Sequence, residues 1–283
     1  MSASSFKPAG LAAKPLAARS VSAAEAVDRL QLCAEDPLPL VLHAREPIPL
    51  AEWLATRREA LHRALLDHGG LLFRGFDVPS ADAFGRAARA LTPELLGYLE
   101  RAAARTEIAP GVFTSTELAA DQIIPHHHEM SYSHNWPRFI WFHCAQAAEH
   151  GGATPIASER RFTATLDETI RRRFIEHGVM YVRNYLTGLD LRWQEAFQTE
   201  SQEEAEAYFR RHVIDFEWTA DGGLRTRQIR QAVATHPVTG EVLWFNHAHL
   251  FHESNLPPDV RAGLRAAFGS GGMPRNAYYG DGT

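Results

Sequence analysis

The sequence predicts an α+β fold. Segments rich in β-branched and aromatic residues, such as Val179–Tyr185, alternate with segments whose apolar residues recur at helical spacing, such as Trp53–His68. Capping residues and glycines mark where helices start and stop, and no internal repeat is visible.

Taken in order, Leu38–His43 reads as a short buried strand. Trp53–His68 reads as a helix with Trp53, Leu54, Leu61 and Leu65 on one side, stopped by Gly69-Gly70. Leu71–Phe76 is then a strand, and Ser80 caps a helix running to Leu91. From Val112 to Ala157 the pattern changes to short strands and turns. A helix is expected over Phe162–His177 and a strand over Val179–Tyr185. Ser201-Gln202-Glu203-Glu204 has the form of a capping box and opens a helix ending near Arg211. Strands are expected at Phe216–Trp218, Leu224–Arg227, Ala232–His236 and Val242–Asn246. The last helix spans Asp259–Phe268 and is closed by Gly269.

The chain has 283 residues, with 29 basic against 34 acidic side chains and a net charge of −5, so it lacks the basic surplus of a nucleic-acid binder. No apolar run approaches the roughly 18 residues of a membrane span. Its two cysteines, Cys33 and Cys144, imply no disulfide framework and favour a reducing compartment, the cytoplasm. Residues 1–24 contain Lys7, Lys14 and Arg19, no acid, and much Ala and Ser; they read as a flexible arm ahead of a domain over 25–283.

The chemistry concentrates at Pro125-His126-His127-His128-Glu129-Met130. Imidazole and carboxylate suit a non-haem iron, and two His with one carboxylate on one face leave positions open for oxygen chemistry. In extended backbone, side chains alternate faces, so His127 and Glu129 point one way while His126 and His128 point the other. A His-x-Glu pair can therefore hold one metal ion from one side; a His-rich loop without metal is the plainer alternative.

The surrounding motifs add to this. They are His68-Gly69-Gly70-Leu71-Leu72-Phe73-Arg74-Gly75-Phe76, Thr114-Ser115-Thr116-Glu117, Met130-Ser131-Tyr132-Ser133-His134-Asn135-Trp136-Pro137, Gly151-Gly152-Ala153-Thr154-Pro155, Trp244-Phe245-Asn246-His247-Ala248-His249-Leu250-Phe251-His252 and Arg275-Asn276-Ala277-Tyr278-Tyr279-Gly280-Asp281-Gly282. Together the sequence resembles the TauD/TfdA-like iron(II)- and 2-oxoglutarate-dependent dioxygenases, and within them the SyrP-like branch found beside peptide-antibiotic biosynthesis.

The resemblance implies a distorted jelly-roll (double-stranded β-helix) core with flanking helices. It places iron(II) on His127 and Glu129, a 2-oxoglutarate carboxylate on Thr154, and Asn246 and His249 at the pocket wall. Related halogenases have a small residue where Glu129 stands, so the resemblance implies hydroxylation of an unactivated C–H bond. The substrate it implies is an amino-acid-like small molecule, free or tethered to a carrier protein in secondary metabolism, with no nucleic-acid or membrane partner.

The same resemblance puts the third metal ligand, a histidine, and a 2-oxoglutarate-binding arginine on strands that follow Asn-Ala-Tyr-Tyr-Gly-Asp-Gly. This chain ends at Thr283, so a domain lacking its C-terminal core strands is expected. His247 and His249, two residues apart on an expected strand, offer a substitute third ligand. A truncated, catalytically incompetent member acting as a binding or accessory module is the rival reading. Elsewhere, the aromatic cluster Trp136, Phe139, Trp141 and Phe142 is expected in the core. Arg105, Arg160 and Arg161 suit either an anionic substrate or solvent. Cys144 and His143, as strand neighbours, point to opposite faces and make a poor nucleophile pair.

Overall fold

The computed structural model describes residues 26–117, 123–185, 188–220 and 222–283; the expected arm over residues 1–24 lies outside them. The chain divides into two compact units, one ending at Val78 and the other running from Pro79 to Thr283.

In the first unit, β1 (Val27–Cys33) pairs antiparallel with β2 (Asp36–Ala44), placing Leu30 opposite Val41. Two helices, α1 (Leu50–Ala55) and α2 (Arg58–His68), then carry the chain back to β3 (Leu71–Arg74), which lies parallel to β2. Leu40, Val41 and Leu42 are all buried, so β2 is covered on both faces, as a parallel crossover requires. The helix expected over Trp53–His68 is therefore two. Its first part stops where the Thr56 hydroxyl donates to the Trp53 carbonyl at 3.2 Å, a side-chain bond that competes with the helical ladder. Gly69, at φ 75°, ends α2.

The second unit opens with α3 (Ala81–Leu91), capped by Ser80, whose hydroxyl accepts from the Ala83 amide at 3.2 Å. A small hairpin follows, β4 (Glu107–Ala109) with β5 (Val112–Phe113). From Thr114 to Ser158 the described residues form no helix or strand. Then come α4 (Glu159–Thr165) and α5 (Glu168–His177), where one helix was expected. Asp167 divides them, because its carboxylate accepts from the amides of Thr169 and Ile170 and starts a new helix.

The remaining elements are β6 (Val179–Tyr185), α6 (Trp193–Phe197), α7 (Gln202–Arg211), β7 (Asp215–Trp218), β8 (Leu224–Arg230), β9 (Val233–Thr235), β10 (Val242–Trp244), α8 (Ala248–Phe251), α9 (Pro258–Phe268) and β11 (Arg275–Tyr279). Four of these strands form an antiparallel sheet in the order β11-β6-β8-β7, with Tyr181 between Ala277 and Gln228. Strands β9 and β10 pair separately. One apolar cluster joins Tyr132, Val179, Tyr181, Ala232, Phe251 and Ala277; another joins Tyr185, Trp193, Phe197, Phe209 and Leu224.

The architecture is thus mixed α+β with several small sheets, and the described residues form no closed barrel. The aromatic cluster expected in the core is not there: Phe142 is 60% exposed, and Trp136, Phe139 and Trp141 are half-buried, because the segment around them joins no sheet. Among the described residues no helix is long and apolar enough to cross a membrane. Cys33 and Cys144 are exposed free thiols.

On β8 the inward positions after Leu224 are Thr226, Gln228 and Arg230, so this strand turns polar side chains into the interior. Buried polar groups need partners. The central one is Glu100, only 2% exposed. Its carboxylate accepts from Ser133 at 3.1 Å, Tyr208 at 2.8 Å and Gln228 at 3.1 Å, and its carbonyl accepts from the Tyr132 hydroxyl at 2.9 Å.

Candidate functional site

His127 and Glu129 lie in irregular backbone that leads into two turns, closed by Ser131 N–H to the His128 carbonyl and Ser133 N–H to the Met130 carbonyl. The expected alternation nevertheless holds. The His127 Nδ1 donates to the Pro125 carbonyl at 2.8 Å, which turns Nε2 toward Glu129 Oε2 at 3.3 Å. The other oxygen, Oε1, accepts from the Tyr98 hydroxyl at 2.5 Å and from Arg105 Nη2 at 3.1 Å. His126 is exposed and His128 turns away, with Nε2 2.5 Å from Glu159 Oε2 and Nδ1 3.3 Å from the Asn246 carbonyl.

The charges suit a metal-binding pair. Burial resists ionisation of Glu129, but hydrogen bonds from His127 and Tyr98 and the Arg105 charge outweigh it and hold the carboxyl down at about 2. The hydrogen bond to Glu129 raises His127, against the opposing effect of burial. A divalent ion bound by both groups would compete with a proton on His127. The donor set also fits in geometry: two ligands each ~2.1 Å from one ion at right angles lie ~3 Å apart, close to the observed 3.3 Å.

Among the described residues, no three His, Cys, Asp or Glu side chains form a group able to hold a metal ion. The shared strand face read for His247 and His249 is corrected: β10 stops at Trp244 and His247 precedes the short helix α8, so the two are not strand neighbours. His247 is nevertheless adjacent, its ring edge-on to that of His127 with centroids 5.2 Å apart. It is buried, its Nδ1 is 3.1 Å from the Ser131 hydroxyl, and its backbone N–H donates to the Tyr181 hydroxyl at 2.7 Å. Burial, helped by the nearby His127 charge, lowers it to about 3, so it stands neutral.

His249 Nε2 donates to the His126 carbonyl at 2.8 Å, on the backbone just before the pair, and burial lowers its pKa. Asn246 is buried and spends both ends of its amide on backbone, donating to the Ala232 carbonyl and accepting from the Ala248 amide. Thr154 lies on an exposed stretch after Gly151 and Gly152, both at positive φ, and no hydrogen bond joins it to His127 or Glu129. Tyr98 and Arg105 also touch Glu129. No local pattern in the sequence marks Tyr98, and Arg105 by itself suits substrate or solvent equally. No periodicity links a loop tyrosine to a carboxylate 31 residues downstream; only the fold brings them together.

Comparison with known proteins bears on the family. The profile of the family described as "Taurine catabolism dioxygenase TauD, TfdA family" matches residues 35–283. The dapdiamide synthesis protein DdaC of Enterobacter agglomerans is 44% identical over 218 residues, covering 77% of this chain and 66% of that protein. A clavaminate synthase-like protein of Arabidopsis thaliana is 32% identical over 208 residues, covering 67% of this chain and 63% of its own length. The chain spans just under two thirds of the length of these relatives. With the family profile matched over most of its length, the chain belongs to the TauD/TfdA family of dioxygenases.

Proposed function

We propose that this chain is the core of an iron(II)- and 2-oxoglutarate-dependent dioxygenase of the SyrP-like branch. It would hydroxylate an unactivated C–H bond of an amino-acid-like small molecule, free or tethered to a carrier protein, in secondary metabolism. The observation that carries the reading is the His127 Nε2 and Glu129 Oε2 pair, 3.3 Å apart and facing one another. Membership of the family and the name of DdaC, a protein of dapdiamide synthesis, support the chemistry and its setting.

When bound with 2-oxoglutarate and oxygen, iron(II) supplies the oxidising power for C–H hydroxylation. The chain's own residues do the rest. His127 and Glu129 hold the metal. Thr154 donates its hydroxyl to the cosubstrate carboxylate, in a segment where Gly151 and Gly152 permit close backbone approach. Asn246 and His249 line the substrate side. The neutral, buried His247 and the ring of Tyr132, 5.2 Å from it, form an apolar wall behind His127 that keeps water back. A jelly-roll core would frame these residues in a cytoplasmic enzyme.

The presence of two ligands rather than three among the described residues favours one rival, a binding or accessory module without turnover. Iron-dependent succinate formation from 2-oxoglutarate separates the two. The enzyme reading expects succinate from the wild-type chain and none from His127→Ala or Glu129→Ala. No succinate from any of the three, with candidate amino acids supplied free and carrier-bound, supports the module instead.

A further inference from the structure

We propose that the loop Tyr98–Arg105 is a clamp on Glu129: Tyr98 and Arg105 occupy Oε1 so that only Oε2 is presented to a metal ion. This assigns both as positioning residues, and it rests on the reading of His127 and Glu129 as ligands.

The two oxygens of Glu129 have unlike surroundings. Among the described residues, Oε1 receives two donors, the Tyr98 hydroxyl at 2.5 Å and Arg105 Nη2 at 3.1 Å, while Oε2 meets only His127. A glutamate can ligate a metal through one oxygen or both. An oxygen already accepting a phenolic and a guanidinium hydrogen bond has its lone pairs engaged, so the clamp selects one-oxygen ligation. That leaves one more coordination position open on the ion than two-oxygen ligation would, and open positions are what oxygen chemistry at a two-His-one-carboxylate site needs.

The loop is built to hold both donors still. The Arg105 guanidinium lies over the Tyr98 ring, 4.8 Å from its centroid, and its Nη2 also donates to the Thr116 hydroxyl at 3.2 Å. Arg101 ties the two ends together, Nε to the Tyr98 carbonyl at 3.0 Å and Nη1 to the Arg105 carbonyl at 3.2 Å. Gln198 donates to the same Tyr98 carbonyl. Between them Glu100 takes φ 55°, uncommon for a residue with a side chain, and is buried against Tyr132 and Ser133, three and four residues after Glu129. The segment carrying the ligands and the segment carrying the clamp are thus fastened at two points. An ion pair serving stability alone would not require a tyrosine and an arginine on one oxygen while the other is left facing a histidine.

The test uses the full chain and Mn(II) as the probe, with affinity by calorimetry and the carboxylate region of the metal-minus-apo infrared difference spectrum. The wild type should show the wide splitting between antisymmetric and symmetric stretches that marks one-oxygen ligation. Tyr98→Phe should bind Mn(II) about 10–100-fold more weakly. Both Tyr98→Phe and Arg105→Met should narrow the splitting towards the two-oxygen value. In a Glu129→Ala background, Tyr98→Phe should have no further effect on affinity. The clamp is overturned if His127→Ala abolishes binding while Tyr98→Phe and Arg105→Met leave affinity within twofold and the splitting unchanged. If His127→Ala binds as the wild type does, or the wild type binds nothing, the metal reading itself has failed and takes the clamp with it.

Discussion

The 3.3 Å contact of His127 Nε2 with Glu129 Oε2 links metal binding at this pair to pH. His127 has to be neutral to present Nε2, and its pKa is raised above the ordinary value by the bond to Glu129. Glu129, at about 2, stays ionised throughout. Mn(II) affinity should therefore be constant at high pH and fall by about tenfold per pH unit once the pH drops below the raised His127 value, with a midpoint above ~6.5. A pH-independent affinity between 5 and 8 would contradict the pairing. A second residue, Glu100, tests the buried polar core. Glu100→Ala leaves Ser133, Tyr208 and Gln228 without their acceptor and should lower stability by at least about 3 kcal/mol in urea unfolding. A loss below about 1 kcal/mol would mean that water replaces the carboxylate freely.

At the scale of elements, local chemistry wrote the helix boundaries more clearly than the strand ends. Ser80 and Ser201 cap where their sequence pattern predicts, because an N-cap hydroxyl needs only an amide three residues on. Asp167 starts α5 by the same logic, whereas Thr56 ends α1 by donating its hydroxyl back to the Trp53 carbonyl. Asp167→Ala should cost about 1 kcal/mol, seen as a lower denaturation midpoint with unchanged slope. An unchanged midpoint would show α5 to be held by packing alone. Asn246 explains why the strand reading of 242–246 ran too far. Its amide is drawn to the Ala232 carbonyl and the Ala248 amide, turning the chain into α8 and removing His247 from any strand. That turn depends on a residue 14 positions upstream, which period-two reasoning does not contain.

Across the whole molecule, what was legible in sequence is what is short-range: the alternation at 126–129, the capped helices, the buried strand Val179–Tyr185. The contacts that complete the site join distant segments, Tyr98 to Glu129, His128 to Asn246, and β11 to β6, and these needed the fold. Another such contact sets acid stability. Asp190, whose side chain is 5% exposed, is held by Arg275, with Nε at 2.5 Å from Oδ2, and lies 3.7 Å from Arg183. Burial works against its charge, but the Arg275 hydrogen bond and both guanidinium charges depress its pKa below the ordinary aspartate value. Its contribution is thus complete above about pH 4 and is lost as pH falls from there through the lower folded value. Asp190→Asn should be destabilised by about 3–5 kcal/mol near neutral pH. The gap to wild type should close on acidification below pH ~4, and a gap independent of pH would show that packing, not charge, is what the substitution removes.

The central claim is that His127 and Glu129 hold the iron, and anaerobic titration of the chain with iron(II) and 2-oxoglutarate tests it most directly. The account predicts the weak visible charge-transfer band of the ternary complex in the wild type and its loss in both His127→Ala and Glu129→Ala. A band that survives both substitutions, or a wild-type chain that takes up no iron, would contradict it.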